Sequence, residues 1–157
     1  MLYTYSLSDY IVSVVVPESL YSVYGVDNRI SIGGDKSYNG GIIINMNSQT
    51  WTTHGDATGS YYHDKSKDRT GTLTVNLTQI SDNVLRLIRL FNAYYSSDSS
   101  NDGLTITLSK AIGNDQKIVA TCNSCMLNLP NLDFEDAAKQ HGWAFTCGEI
   151  IFSGVQI

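Results

Sequence analysis

The sequence predicts a mainly β fold, a β-sandwich or partly closed barrel, with one central α-helix. Short segments that alternate apolar with polar residues, or are rich in β-branched residues, occur along most of the chain. Only one segment has the spacing of an amphipathic helix. The 157 residues contain neither a linker nor an internal repeat, so we expect a single domain over residues 1–157.

The N-terminal third is predicted to contain three strands. Residues 11–16 form a β-branched run that ends at Pro17, which indicates a strand followed by a break. Residues 21–32 are predicted to be a second strand region, closed by a Gly-Gly-Asp turn at residues 33–35. In residues 42–49 an apolar face alternates with a mostly polar one, which predicts the third strand.

Residues 52–68 are polar and contain turn signals, so they are predicted to form a long connecting loop. The clearest strand follows at residues 70–80. There Leu73, Val75 and Leu77 lie on one side, and the intervening threonines and Asn76 lie on the other.

The predicted helix starts directly after this strand. Either Ser81 or Asp82 can accept a hydrogen bond from the first free backbone N–H groups. The polar cluster at residues 96–102 is expected to end the helix. Arg86 and Arg89 lie opposite an apolar stripe that consists of Val84, Leu87, Ile88, Phe91 and Tyr95.

The C-terminal half is predicted to return to β structure. Residues 104–109 alternate, and a turn leads into a strand that ends at Cys122 and is extended by residues 126–129. Residues 133–140 are charged and could form a short helical turn or a loop. The last strand is predicted over residues 142–152, with Trp143, Phe145 and Cys147 on one face.

The chain is mildly acidic and has few charges. Charged residues make up 16 % of it and the formal net charge is −5, so direct nucleic-acid binding is not expected. The N-terminal residues lack the regions of a signal peptide, and no apolar run reaches the ~18 residues of a membrane span. We therefore expect a protein that is made in the cytoplasm and does not bind membranes.

Cysteine and histidine residues provide the candidates for chemistry. Cys122 and Cys125 form a CxxC motif, but no second pair with comparable spacing exists to complete a zinc site. The motif lies between strands rather than before a helix, so buried thiols are favoured over a redox or metal site. The histidines, including the His63-Asp64 pair, lie in predicted turns without a catalytic constellation. We therefore expect no enzyme activity, cofactor or metal.

Several motifs in a fixed order resemble those of the tail tube proteins of contractile-tailed bacteriophages and phage-derived tailocins. They comprise a Gly-rich tip at residues 55–60, the Asp68-Arg69-Thr70-Gly71-Thr72 strand start, and an Asp82-Asn83-Val84-Leu85 helix start. The closing strand contributes a Trp and then an apolar-Cys-x-Glu pattern at residues 143–150. Together they cover roughly residues 5–153, which is nearly the whole chain.

The resemblance implies a structural subunit of the virion tail. Such subunits form six-membered rings that stack into a hollow tube inside a contractile sheath, assembled in the cytoplasm of the host bacterium. The implied partners are other copies of the chain and the sheath, tail terminator, baseplate hub and tape-measure proteins. DNA or the tape-measure protein would pass through the tube without specific binding.

Two sets of residues are candidates for roles in such a tube. The polar faces of two strands could line the channel, because they are uncharged and would not hold phosphates; facing outside solvent is the equally open alternative. These residues are Asn45, Asn47, Gln49, Thr72, Thr74, Asn76 and Thr78. The loop at residues 52–68 could contact the next ring, or be merely exposed; its candidate residues are His54, Gly55, Asp56, Gly59, Tyr61 and Tyr62.

Two other classes of protein are possible from the residues alone. A monomeric ligand-binding or carbohydrate-binding β-domain would use exposed Tyr and Trp side chains for stacking. A redox or metal protein would use Cys122 and Cys125. Self-assembly into rings or tubes would distinguish the tube subunit from both.

Overall fold

The computed structural model describes residues 5–33, 41–97 and 102–154. Within these ranges the chain has nine strands, two α-helices and one short 3₁₀ helix at Leu7–Asp9. Neither described α-helix is long and apolar enough to cross a membrane. The elements are, in chain order, β1 Tyr10–Val15, α1 Glu18–Tyr24, β2 Arg29–Gly33, β3 Ile42–Met46, β4 Trp51–Gly55, β5 Tyr61–Lys65, β6 Gly71–Thr78, α2 Asp82–Ser96, β7 Leu104–Ile112, β8 Asp115–Asn128 and β9 Gln140–Phe152.

Seven strands form one antiparallel sheet in the order β2-β1-β7-β8-β9-β6-β3. The sheet curls into a half-barrel, which confirms the predicted mainly β, partly closed barrel. β2 and β3 are its two edges. Among the described strands, β4 and β5 pair only with each other and form a separate hairpin.

Helix α2 spans the open side of the half-barrel. It contacts β2 at one edge and β6 next to the other edge, and its Leu87 and Leu90 are fully buried in the central core. The predicted cap is present, because the Ser81 side chain accepts a hydrogen bond from the Asn83 backbone N–H. The helix therefore closes the core that the curled sheet leaves open.

The predicted apolar stripe of α2 was correct at its centre and wrong at its end. Val84, Leu87, Ile88 and Phe91 are buried or pack against the core, but Tyr95 is 83 % exposed. At about 100° per residue, Tyr95 lies only about 20° around the helix from Val84. Both lie to one side of the buried face, which is centred on Leu87 and Leu90. Leu90 and Ala93 are buried as well, and Asn83 is buried in the first turn.

The strand predicted over residues 21–32 was wrong in its first half. Helix α1 occupies Glu18–Tyr24, and β2 begins only at Arg29. Pro17 is tolerated at the start of the helix, and Gly25 ends it in a left-handed conformation with φ 68°. Leu20 is buried in the core, and this burial fixes a segment whose Tyr and Val residues favour strands. The predicted turn at 33–35 lies beyond Gly33 outside the described residues.

Two predicted loops had different outcomes. Residues 52–68 were predicted to form a loop, but most of this segment belongs to the β4–β5 hairpin. The pattern hid these strands because both of their faces are exposed, so no apolar alternation marks them. Residues 133–139 form a loop without a helical turn. The loop is anchored through Gln79, which donates its backbone N–H to the Lys139 carbonyl at 2.9 Å.

Trp143 is fully buried in the core, and its indole N–H has no acceptor among the described residues. We expect Trp143→Phe to lower the free energy of unfolding by about 1 kcal/mol or less. The smaller ring loses packing, but the substitution also removes a buried N–H donor that has no acceptor among the described residues, and this gain offsets part of the loss. Trp143→Ala should cost about 3–5 kcal/mol. Urea denaturation followed by circular dichroism measures both, and equal losses would contradict this account.

Candidate functional site

One face of the sheet is covered mainly by small neutral side chains, with the exposed Ile43 and Met126 among them. On β6 the residues Thr72, Thr74, Asn76 and Thr78 point away from the core, opposite buried Leu73, Val75 and Leu77. Asn45 of β3 is the register partner of Thr72 and therefore shares this face. We call this surface the polar sheet face; its predicted members are Asn45, Thr72, Thr74, Asn76 and Thr78.

Asn47 and Gln49 lie outside the polar sheet face. Asn47 follows the end of β3, where its side-chain amide donates to the Thr70 hydroxyl at 2.9 Å. Gln49 is exposed in the connection between β3 and β4. The strand was predicted to continue to these residues, but it ends at Met46.

The polar sheet face also includes β9 residues that were not predicted as channel-lining candidates. Gly142, Ala144 and Thr146 of β9 are the register partners of Asn76, Thr74 and Thr72. Thr146 also accepts a hydrogen bond from the Asn128 side chain of β8 at 2.8 Å. These positions alternate with Trp143, Phe145 and Cys147 in the sequence, and this alternation could have predicted that they lie on the face away from the core. The face therefore crosses several strands without a charged side chain among the named residues.

The β4–β5 hairpin carries all the residues predicted for the loop, which are His54, Gly55, Asp56, Gly59, Tyr61 and Tyr62. Every residue of both strands is exposed. Trp51 is 58 % exposed, and Tyr61 and Tyr62 are 72 % and 60 % exposed. A hairpin of two strands is only marginally stable by itself in water. Trp51 and Tyr61 lie on one face of the hairpin and Tyr62 on the other, so both faces are candidate contact surfaces.

The hairpin turn is held by the Asp56 carboxylate. Its Oδ1 atom accepts from the Thr58 backbone N–H at 2.9 Å, the Thr58 hydroxyl at 2.6 Å and the Ser60 backbone N–H at 3.0 Å. The hydrogen bonds from Thr58 lower the pKa of Asp56 below its ordinary value. Gly59 has φ 88°, which favours glycine. The turn is thus built by local polar contacts.

Side-chain contacts across the strands order the rest of the hairpin. His54 stacks on Tyr62 with ring centroids 5.0 Å apart, and its Nε2 atom lies 3.0 Å from the Asp64 carboxylate. Thr53 and His63 share a hydrogen bond of 2.8 Å. The hairpin therefore has a defined shape although none of its residues enters the core.

The three cysteines lie together in the core instead of at a surface site. Cys122, Cys125 and Cys147 are all buried, and Cys125 is the register partner of Cys147. Hydrogen bonding to the Cys122 and Cys147 thiols, together with burial, raises the pKa of Cys125. Burial agrees with the favoured interpretation of packed thiols. Within the described residues, no group of three potential ligands is arranged to hold a metal ion.

The family comparison decides what these surfaces belong to. Residues 2–153 match the family model described as bacteriophage PhiTE tail tube protein. The chain belongs to this tail tube family. The predicted resemblance is therefore confirmed over almost the whole chain, and this tail tube protein is a structural component of a phage or tailocin tail and not an enzyme. No curated protein matches the sequence.

Solved structures share the fold of this tail tube protein at low sequence identity. A chain of the sheath/tube terminator of the PVC extracellular contractile injection system is 12 % identical, with a TM-score of 0.56 and coverage of 98 % of this chain and 99 % of that one. The anti-feeding prophage tube-terminating cap is 10 % identical, with a TM-score of 0.54 and coverage of 98 % of this chain and 93 % of that one. A chain of the PVC sheath-tube complex is 13 % identical, with a TM-score of 0.55 and coverage of 98 % of this chain and 93 % of that one.

Proposed function

We propose that this chain is the subunit of stacked, six-membered rings that form the hollow inner tube of a contractile tail. The observation that carries the proposal is the match to the tail tube family over residues 2–153. The tube is the conduit for DNA or the tape-measure protein. It assembles in the host cytoplasm with the sheath, tail terminator, baseplate hub and tape-measure proteins.

The two open edges of the sheet support ring formation. β2 and β3 are different strands, so an edge of one copy can meet a different surface of the next copy and repeat around a closed ring. Along β3 the Asn76 N–H donates to Gly41 and the Asn47 N–H donates to Thr70. Because antiparallel bonding alternates, the backbone groups of Ile42, Ile44 and Met46 point away from β6. No other strand of the described ranges pairs with them, so they could pair with a strand of another copy.

The β4–β5 hairpin supports stacking between rings. It leaves the sheet at the end where β3 stops and β6 starts, and its aromatic side chains contact no core. Insertion between subunits of the adjacent ring would bury Trp51 and Tyr61 on one face of the hairpin and Tyr62 on the other. Trp and Tyr are the residue types that dominate binding at interfaces.

The polar sheet face is the proposed lining of the channel. Its named side chains are uncharged, and the exposed Ile43 and Met126 beside Thr74 and Thr146 are uncharged as well, so a passing phosphate chain would find no cationic site there. Helix α2 packs against the opposite, apolar side of the sheet. A tube with the polar face inside therefore places α2 away from the channel.

Cysteine labelling tests which surface faces the channel. In Thr74→Cys tubes, a maleimide with a bulky polymer should react about tenfold or more slowly than with free subunits, because thiol reactivity depends on access. Asn92→Cys on the exposed side of α2 is the matched control, and its reaction rate should differ less between tubes and free subunits. The native thiols are buried and contribute little. Equal reactivity of both variants in tubes would contradict the lining proposal.

Electron microscopy of the purified protein, alone and added to preformed tail initiation complexes, tests the tube itself. Hollow tubes that lengthen with protein concentration are expected. A strict monomer that fails to extend initiation complexes would overturn the proposal.

The structural likeness to two terminating components favours a second candidate, a terminator, which would cap existing tubes as a single ring and would not elongate them.

A further inference from the structure

An exposed acidic loop projects from one end of the sheet. In residues 129–139 the Phe134 side chain is 83 % exposed and lies among three carboxylates, at Asp133, Glu135 and Asp136. Lys139 pairs with Glu135 at 2.7 Å and with Asp133 at 3.8 Å, whereas Asp136 has no ion pair among the described residues. Three carboxylates and one ammonium leave a formal charge of −2.

This acidic loop is held in place before any partner binds. Gln79 holds the loop at its C-terminal end and near its middle: its side-chain oxygen accepts from the Lys139 backbone N–H at 2.8 Å, and its side-chain amide donates to the Asp133 carbonyl. Leu132 packs against the core. An exposed aromatic residue on a preorganised loop has little ordering entropy to lose on binding.

A basic cleft of about 330 Å³ lies at the base of the hairpin. Its apolar lining comes from Met46, Ile150 and Phe152, and its cations are Lys65, Lys67 and Arg69. None of these three cations forms an ion pair within the described part of the chain.

One anion, Asp68, also lines the basic cleft. Hydrogen bonds from Ser48 and Thr70 lower its pKa to about 2, so it is ionised at neutral pH. Three cations and one anion give the basic cleft a formal charge of +2. The cleft is thus opposite in charge to the acidic loop and offers an apolar lining for its aromatic residue.

The acidic loop and the basic cleft lie at opposite ends of the same strands. Gln140, where the loop joins β9, pairs with Thr78, whereas Met46 of the cleft pairs with Gly71. The strand from Gly71 to Thr78 is about 23 Å long at roughly 3.3 Å per residue. Within one chain the two surfaces therefore cannot meet.

We infer that the acidic loop of one subunit docks into the basic cleft of a second copy in the adjacent ring, with Phe134 as its apolar anchor. The inference rests on the proposed tube, in which rings stack with one polarity and bring opposite ends of the subunits together. Charge complementarity sets the orientation of the rings, and the buried Phe134 ring contributes most of the binding free energy.

Phe134→Ala tests the anchor. It should raise the protein concentration needed for tube elongation by about tenfold or more, while single rings still form. Tyr95→Ala is the matched control, because Tyr95 is equally exposed at 83 % but lies on α2. Lys67→Glu and Asp136→Lys should each impair elongation, and the double variant should recover much of it, because the charges are exchanged between the two surfaces.

A crosslink tests the contact directly. In a Met46→Cys/Phe134→Cys variant, mild oxidation of tubes should produce a ladder of linked chains, since a disulfide needs Cα atoms within about 7 Å. Met46→Cys/Tyr95→Cys should give no ladder. Tubes that form without a ladder, together with unimpaired elongation of Phe134→Ala, would overturn the inference and leave the tube intact. A wild-type chain that neither forms nor extends tubes would refute the proposed function itself.

Discussion

Gly71→Ala should lower the free energy of unfolding by about 3 kcal/mol, because the added methyl group has no room. A Cβ atom at Gly71 would collide with the Asn45 carbonyl oxygen of β3 and lie 2.6 Å from the Ile150 Cδ1 atom. The Ile150 side chain can rotate, but the Asn45 backbone can move only if β3 separates from β6. Urea denaturation of the monomeric subunit measures the loss.

Gly41→Ala is the matched control at the other end of the same strand pair. A Cβ atom there would meet nothing within 4 Å, so the free energy of unfolding should stay within about 1 kcal/mol of the wild type. Equal stability of Gly71→Ala and Gly41→Ala would show that β3 tolerates displacement. Because β3 is a sheet edge and carries Asn45 of the polar sheet face, Gly71→Ala should also reduce tube yield.

Tyr61→Ser/Tyr62→Ser should nearly abolish stacking of rings without unfolding the subunit. Both side chains are exposed on the hairpin, so the free energy of unfolding should change by only about 0.5 kcal/mol for each substitution. If they are anchors between rings, the concentration needed for elongation should rise by about a hundredfold, since aromatic anchors dominate binding free energies. Electron microscopy and sedimentation distinguish single rings from tubes.

Tyr95→Ser is the control for this hairpin variant, because it removes an exposed tyrosine from α2. Its tubes should elongate at the wild-type concentration. Normal elongation of Tyr61→Ser/Tyr62→Ser would remove the hairpin from the stacking contact. Loss of single rings as well would instead assign these tyrosines to contacts within a ring.

The strands and the helix that bury one face were predictable from the sequence. In β6 every second residue is apolar, which is the period of a half-buried strand. In α2 the apolar residues Leu87 and Ile88 follow Val84 at helical spacing. The period of apolar residues within each segment was therefore enough to predict the strand and the helix. Helix α1 was not predictable in this way, because its Tyr and Val residues favour strands and its position depends on burial of Leu20. The hairpin was missed because both of its faces are exposed.

The candidate surfaces were predictable only within single strands. Alternation placed Thr72, Thr74 and Asn76 on one face, but their neighbours Ala144 and Thr146 belong to a strand about 70 residues later, and strand adjacency is a long-range property. The acidic loop was visible as a charged segment at residues 133–140, whereas the basic cleft combines residues from β3, β5 and β9 with the segment before β6. Only the pairing of β6 with β9 showed that they lie at opposite ends of the molecule.

The sequence by itself determined a mainly β fold with a capped amphipathic helix and membership of the tail tube family, because periodicity and ordered motifs are local properties of the chain. The tertiary structure alone decided which strands are the edges, that most of residues 52–68 belongs to an exposed hairpin, and that Cys147 shares one core with the Cys122 and Cys125 pair. These features depend on which segments pair across long separations, and pairing is selected by burial of the whole core and not by any one segment.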